Sequence, residues 1–277
     1  MCATCGCSGS AEFQLFQAGR GEPDGAPHHH HHGIDDHSGH DHARHDDADL
    51  IVAAAASRDD RTVLLEQKVL AKNDHLAQLN RDWLRQREIL AVNLMSSPGA
   101  GKTTLLERTA RDLAGAMTIS VIEGDQAAAL DAERIRSAGC QVVQVNTGAG
   151  CHLDAQMVAE GLRMLDPPGG SVVVIENVGN LVCPALFDLG EQARVVLASV
   201  TEGDDKPVKY PHMFRRADLV LVSKTDLLPY VDFDRGRHAA YVKGVSPGAL
   251  MLDVSATAGA GLQEWYAWLR RRAGDAA

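Results

Sequence analysis

The sequence predicts an α/β fold, a mostly parallel sheet flanked by helices, preceded by a disordered His-rich N-terminal tail. Three observations carry that expectation. Apolar runs recur at Ile89–Met95, Thr118–Ile122, Gln141–Val145, Val172–Ile175, Val195–Val200, Leu219–Val222 and Leu250–Val254. They are apolar throughout rather than alternating, as strands buried on both faces are. Helical patterns fall between several of them, the alternation that builds parallel sheets with crossover helices. A chain of 277 residues, 45% apolar but only 4% aromatic, suits a Val, Ile, Leu and Ala core of full α/β size.

Taken in order, residues 1–57 read as the tail. They hold nine acidic groups against Arg20 and Arg44, so about −7 of the net charge of −10 lies there. With little apolar periodicity, this stretch cannot bury enough surface to offset chain entropy. Residues 58–88 read as an N-terminal helix, patterned over Asp59–Arg87 with Leu65, Val69, Leu76, Leu79 and Trp83 as its apolar positions. Residues 89–277 read as the α/β domain itself, with helices at Thr103–Leu113, Ala127–Ser137 and Leu153–Leu165. A last helix, Leu262–Arg271, carries Trp265, Trp268 and Leu269 on one side.

Charge and segment content exclude some classes. Outside the tail the chain is only mildly acidic, which argues against nucleic acid as a partner. No run approaches the ~20 apolar residues of a membrane span. The start lacks a basic region followed by an apolar run, so the expected location is the cytoplasm. There the six cysteines read as metal ligands or spare thiols rather than disulfides.

The strongest motif is Met95-Ser96-Ser97-Pro98-Gly99-Ala100-Gly101-Lys102-Thr103-Thr104, which follows a buried strand and opens a helix. That is the context of a phosphate loop. Pro98 to Thr104 would cradle the phosphates, with Lys102 reaching the β- and γ-phosphates and Thr103 ligating Mg²⁺. Ser96 stands where the first glycine is usual. Lys224 and Asp226, in Ser223-Lys224-Thr225-Asp226, match a guanine-recognition strand end, although Ser223 replaces the expected Asn. A carboxylate there accepts from guanine N1–H and the N2 amine, a donor pair adenine lacks. Ser255 and Ala256, in Ser255-Ala256-Thr257-Ala258-Gly259, match the second base-contact loop, so GTP and GDP are the expected nucleotides. Glu176, in Glu176-Asn177-Val178-Gly179, resembles the loop that senses the γ-phosphate and would help hold Mg²⁺. Asp125, in Glu123-Gly124-Asp125, is the candidate for ordering Mg²⁺ or the attacking water. A polar turn is the alternative for it.

Three groups of metal-ligating residues stand out. Cys2, Cys5 and Cys7 form Cys-x-x-Cys-x-Cys, in which three thiolates can converge on one soft or borderline cation. A redox pair or incidental thiols is the alternative. His28, His29, His30, His31, His32, His37, His40, His42 and His45 form an imidazole tract interspersed with Asp, suited to buffering or storing Ni or Zn ions. An affinity tag is the artefactual alternative, disfavoured because the run is internal. Cys151 and His152 follow one buried strand, and Cys183 lies beyond another. In a parallel sheet both segments leave carboxyl ends, where ligands gather. Together they make a Ni or Zn site one ligand short, which a second subunit could complete. Buried cysteines and a capping histidine are the alternative. Cys140 reads as core, and His75, His212 and His238 as surface or capping residues.

In this order the motifs resemble the HypB family of hydrogenase nickel-incorporation GTPases. The segments that carry the resemblance are the Ser96–Thr104 loop, Cys151-His152-Leu153, Glu176-Asn177-Val178-Gly179-Asn180-Leu181-Val182-Cys183-Pro184, and Gly203-Asp204-Asp205-Lys206-Pro207. The resemblance implies a SIMIBI-class P-loop GTPase with slow intrinsic turnover that dimerises with GTP. It implies a nickel metallochaperone that helps insert Ni²⁺ into the large subunit of [NiFe]-hydrogenase. It further implies a high-affinity nickel site at Cys2, Cys5 and Cys7, and a weaker Ni/Zn site at Cys151, His152 and Cys183. Implied partners are a HypA-type nickel chaperone and the SlyD chaperone, with Lys206 acting near the nucleotide across the dimer. The other readings are a nickel storage or detoxification protein and a urease-type nickel GTPase.

Overall fold

The computed structural model describes residues 14–17, 47–125, 129–148 and 150–276, and their side chains except those of 14–17, 47–66, 125 and 129. The cysteine motif at Cys2, Cys5 and Cys7 and the histidine tract lie outside the described residues, whereas two pieces of the expected disordered tail, Gln14–Gln17 and the residues from Asp47 on, are a strand and the start of a helix. In chain order the strands are β1 (Gln14–Gln17), β2 (Leu90–Ser96), β3 (Ile119–Asp125), β4 (Gln141–Asn146), β5 (Val172–Glu176), β6 (Ala193–Ser199), β7 (Leu219–Ser223) and β8 (Leu250–Asp253). The helices are α1 (Asp47–Gln86), α2 (Lys102–Asp112), α3 (Ala129–Ser137), α4 (Ala155–Leu165), α5 (Lys206–Lys209), α6 (Pro211–Arg215), α7 (Arg235–Val245) and α8 (Leu262–Ala276).

The sheet order is β1-β4-β3-β5-β2-β6-β7-β8. Strands β2 to β8 pair in parallel throughout, and β1 adds an antiparallel edge beside β4. The seven apolar runs of the sequence are these seven parallel strands. Their uniform apolarity has a direct cause. Leu90, Val92 and Leu94 of β2 face a core shared with α2 and α8, whereas Ile89 and Ala91 face a second core shared with α1 and α4. A third core lies around β6, β7, α6 and α7.

Two expectations are corrected. Helix α1 begins at Asp47 rather than Asp59, and the face it docks is not set by the expected apolar positions alone. Val69 and Leu79 are 50% and 53% exposed, whereas Asn73, Ala77, Asn80 and Leu84 are buried. Their three- and four-residue spacing defines one helix face. Asn73 and Asn80 stand on this face because there it meets loop backbone, which needs amide partners, while Leu84 joins the core shared with α4. His238, read as a surface or capping residue, is fully buried. Its Nδ1 lies 2.9 Å from the Asp204 carbonyl oxygen. Burial lowers its pKa, against the opposing pull of Asp204. His75 and His212 are exposed, and Cys140 is buried, which pushes its thiol up to about 11.

Candidate nucleotide pocket and metal centre

Strand β2 delivers the chain into the loop 97–101, and α2 starts at Lys102. Gly99 and Gly101 have φ of 74° and 101°, a conformation costly to any residue with a Cβ. No side chain caps the start of α2. Its first N–H groups and positive dipole end are thus presented to an anion. Lys102 Nζ donates to Ser96 Oγ at 2.8 Å, and Ser96 Oγ donates to the Ser97 carbonyl at 2.6 Å. The residue that departs from the usual glycine thus holds the loop lysine. Ser97 Oγ in turn donates to Glu202, whose carboxylate lies 3.9 Å from Lys206 Nζ.

A cavity of about 530 Å³ opens above this loop, lined by Pro98, Gly99, Gly101, Lys102, Thr103 and Thr104. The opposite wall includes Glu123, Glu176 and Asn177. Thr103 Oγ1 donates to Glu176 Oε1 at 2.8 Å. Glu123 stands beside Glu176 in the β3–β5 register, and both are buried. A hydroxyl and two carboxylates form a hard oxygen donor set of the kind Mg²⁺ takes. Asp125 ends β3 two residues on, and its side chain lies outside the described residues. Sequence reasoning passed over Glu123, although its place before Gly124 at a strand end was the available signal. It also passed over Asp131 and Arg134 of α3, which line the same cavity. Arg134 donates to Glu107 at 3.0 Å and to Thr104 Oγ1 at 3.4 Å.

A second cavity of about 270 Å³ adjoins the first, sharing Gly101, Thr104 and Lys224 with it. Ala100, Asp226, Val254 and Ala256 are among its other lining residues. Ser255 lies behind Asp226 and donates to its Oδ1 at 2.6 Å, fixing the carboxylate's orientation. Ser223 Oγ donates to the Ala100 carbonyl at 2.8 Å, so the residue standing in for Asn ties this strand end to the phosphate loop. Lys224 takes a left-handed backbone, φ 59°, and its Nζ donates to the Gly99 carbonyl at 2.7 Å. The side chain thereby spans from one cavity to the other.

The third group converges across the sheet edge. One ligand atom each from Cys151, His152 and Cys183 lies within 4.8 Å of the others. Cys151 Sγ is 3.6 Å from His152 Nδ1. Cys151 and His152 precede α4, whose start is capped by Asp154 accepting from Met157 N at 2.8 Å. Cys183 opens a short turn of helix beyond β5 and is buried. The His152 ring stacks on Phe187 with centroids 4.0 Å apart. Burial lowers its pKa, against Asp154, which favours the neutral imidazole a metal needs. Two sulfurs and an imidazole fit Ni²⁺ or Zn²⁺ better than a hard cation. Among the described residues no other group of this kind occurs. The two sites are joined by one side chain. Asn177 lines the phosphate cavity, and its Oδ1 accepts from Leu153 N at 3.2 Å, next to His152.

The family model described as "CobW/HypB/UreG, nucleotide-binding domain" matches residues 90–253. The chain is 52% identical over 210 residues to hydrogenase maturation factor HypB of Rhizobium leguminosarum, covering 76% of this chain and 70% of that one. It is 43% identical to the Escherichia coli K12 factor over 286 residues, covering 97% and 98% of the two chains. Among solved structures, HypB from Helicobacter pylori in complex with nickel superposes with a TM-score of 0.70 at 35% identity. That alignment covers 74% of this chain and 96% of the other.

Proposed function

Since the chain belongs to the HypB hydrogenase maturation factors within the CobW/HypB/UreG nucleotide-binding domains, we propose that it is a GTP-hydrolysing nickel metallochaperone. In this reading it helps insert nickel into the large subunit of [NiFe]-hydrogenase, and GTP-dependent dimerisation gates its metal. One observation carries the gating. The segment from Glu176 to Cys183 touches Thr103 of the phosphate loop at one end and supplies a metal ligand at the other. Asn177 bonds between them to the segment that bears Cys151 and His152.

For hydrolysis, the N–H groups of 99–104 and Lys102 bind the β- and γ-phosphates and oppose the charge that develops there. Thr103 and Glu176 would hold Mg²⁺, which neutralises charge on the β- and γ-phosphates when bound. Asp125, at the end of β3, is assigned to order Mg²⁺ or the attacking water, and Glu123 stands beside Glu176 in the Mg²⁺ donor set. Asp226 and Lys224 select guanine. Cys151, His152 and Cys183 take Ni²⁺ as cargo, or Zn²⁺. Lys206 is assigned to the partner's nucleotide in the GTP-promoted homodimer. The further partners in this reading are a HypA-type chaperone and SlyD, in the cytoplasm. Among the described residues no helix is long and apolar enough to cross a membrane.

Replacing Lys102 with Ala is expected to lower GTP turnover by at least 100-fold while the chain still takes up metal. Unchanged turnover would sink the enzyme reading. Cys183→Ser is expected to leave GTP binding intact and to abolish its effect on metal release. The Asp-rich histidine tract favours a second reading, nickel storage. Deleting residues 8–57 separates the two. A storage protein loses its nickel phenotype, whereas a chaperone still supports hydrogenase maturation.

A further inference from the structure

We propose that helix α1 is a positioning element for the metal centre, with Asn73 and Asn80 as the residues that hold its two halves in register. The inference rests on the reading of Cys151, His152 and Cys183 as that centre. The ligands arrive on two separate segments, Cys151–His152 leading into α4 and Cys183 leading through Phe187 to Leu189. Helix α1 bonds to both. Asn73 Oδ1 accepts from Ala155 N at 2.9 Å, while its Nδ2 donates to the Asp188 carbonyl at 2.8 Å. Asn80 Nδ2 donates to the Ala155 carbonyl at 2.8 Å and to the Leu189 carbonyl at 3.0 Å. Each amide therefore bridges the two segments by itself. Arg81 adds two bonds to the Asp188 carboxylate, at 2.7 and 2.8 Å.

The seven-residue spacing of Asn73 and Asn80 puts both amides on one face, two turns apart. Close approach confirms how tightly that face is seated. A Cβ on Gly190 would fall 2.5 Å from the Ala77 carbonyl oxygen and 2.6 Å from Asn80 Cβ. Only glycine lets the second segment lie against the helix. The ligands need this support. Donors bound at 2.0–2.3 Å to one tetrahedral ion sit roughly 3.3–3.8 Å apart. The three donor atoms here lie within 4.8 Å of one another, so they close on one ion by movements of about an ångström, provided the two segments keep their register. Groups that orient metal ligands from behind commonly contribute 10–100-fold in affinity.

The test uses the full chain with Co²⁺ as probe. Thiolate-to-cobalt absorption is followed in competition with a chelator, and the contribution of this centre is the part lost in Cys183→Ser. Asn73→Leu and Asn80→Leu are expected to weaken that component 10–100-fold and to shift its ligand-field bands, with GTP affinity unchanged within twofold. Asn73→Asp keeps the bond from Ala155 N and loses the one to Asp188, and is expected to weaken binding by a smaller factor. Should the leucine variants fail to fold, Asn73→Asp and Arg81→Gln decide by the same absorption. Cobalt affinity within twofold of the parent in the folded variants overturns the proposal. So does a parallel loss of GTP affinity, which would mark general loosening. A Cys183→Ser chain with undiminished absorption would instead overturn the metal-centre reading itself.

Discussion

Asp226 and Ser255 show what single residues contribute to selectivity. The carboxylate lies in the smaller cavity with one oxygen held by the Ser255 hydroxyl at 2.6 Å. Asp226→Asn replaces an acceptor pair with an acceptor and a donor, which suits the second carbonyl of xanthine better than the amine of guanine. The expected outcome is a switch in preference from GTP to xanthosine triphosphate, read by competition binding. Ser255→Ala removes one charge-assisted bond of about 1–2 kcal/mol. Guanine nucleotides should bind roughly 5–30-fold more weakly in that variant. At this scale the sequence was legible in the motif positions and misleading in its departures. Ser96 and Ser223 looked like losses of Gly and Asn, yet their hydroxyls hold Lys102 and the Ala100 carbonyl. Nothing in a linear motif states which atom a hydroxyl will reach. Asp125 was preferred to Glu123 for a related reason, since only the β3–β5 register sets Glu123 beside Glu176.

Helix α1 is the clearest case at the scale of the element. Its existence followed from helical spacing, but its docked face did not, because hydrophobic periodicity gives no weight to asparagine. The tie at Asp188 carries a pH signature. Burial would raise its carboxyl, but the Gly190 N–H and the Arg81 guanidinium, with Arg194 further off, outweigh it and lower the pKa from the ordinary 3.8. Arg216, at 4.0 Å, also faces it. A depressed carboxylate stabilises the fold above its ordinary pKa and loses that contribution as pH falls through the lowered value. The melting temperature should therefore drop steeply below about pH 4. In Arg81→Gln this part of the drop should be smaller, because the difference between folded and unfolded pKa shrinks. Parallel acid profiles in the two proteins would refute the assignment.

For the whole molecule, the α/β class was readable because parallel strands are covered on both faces and must be apolar at every position. The convergence of sites was less readable. Phosphate loop, base loop and metal ligands are spread from Pro98 to Ala256, and only the strand order gathers them at one sheet edge. β5 lies between β3 and β2, so the segment after Glu176 passes beside the phosphate loop before reaching Cys183. A chain coupled in this way should change its metal affinity between GDP- and GTP-loaded states. Metal titration with size measured in parallel checks this. If neither affinity nor oligomeric state responds to the nucleotide, the gate is absent. Asn177→Ala is expected to leave GTP turnover within a few-fold of the parent while abolishing that response.

The placement of the aromatic residues has a practical consequence. The chain has three tryptophans, and their positions divide them between two elements. Trp265 Nε1 donates to Thr109 Oγ1 of α2 at 2.9 Å and stacks near Trp268, while Trp83 lies under Arg87 near the end of α1. The protein thus carries its own fluorophores, one pair against the phosphate-loop helix and one on the helix that braces the metal ligands. With Trp83→Phe leaving only the α8 pair, and Trp265→Phe/Trp268→Phe leaving only Trp83, nucleotide and metal arrival can be timed separately by stopped-flow emission in unlabelled protein.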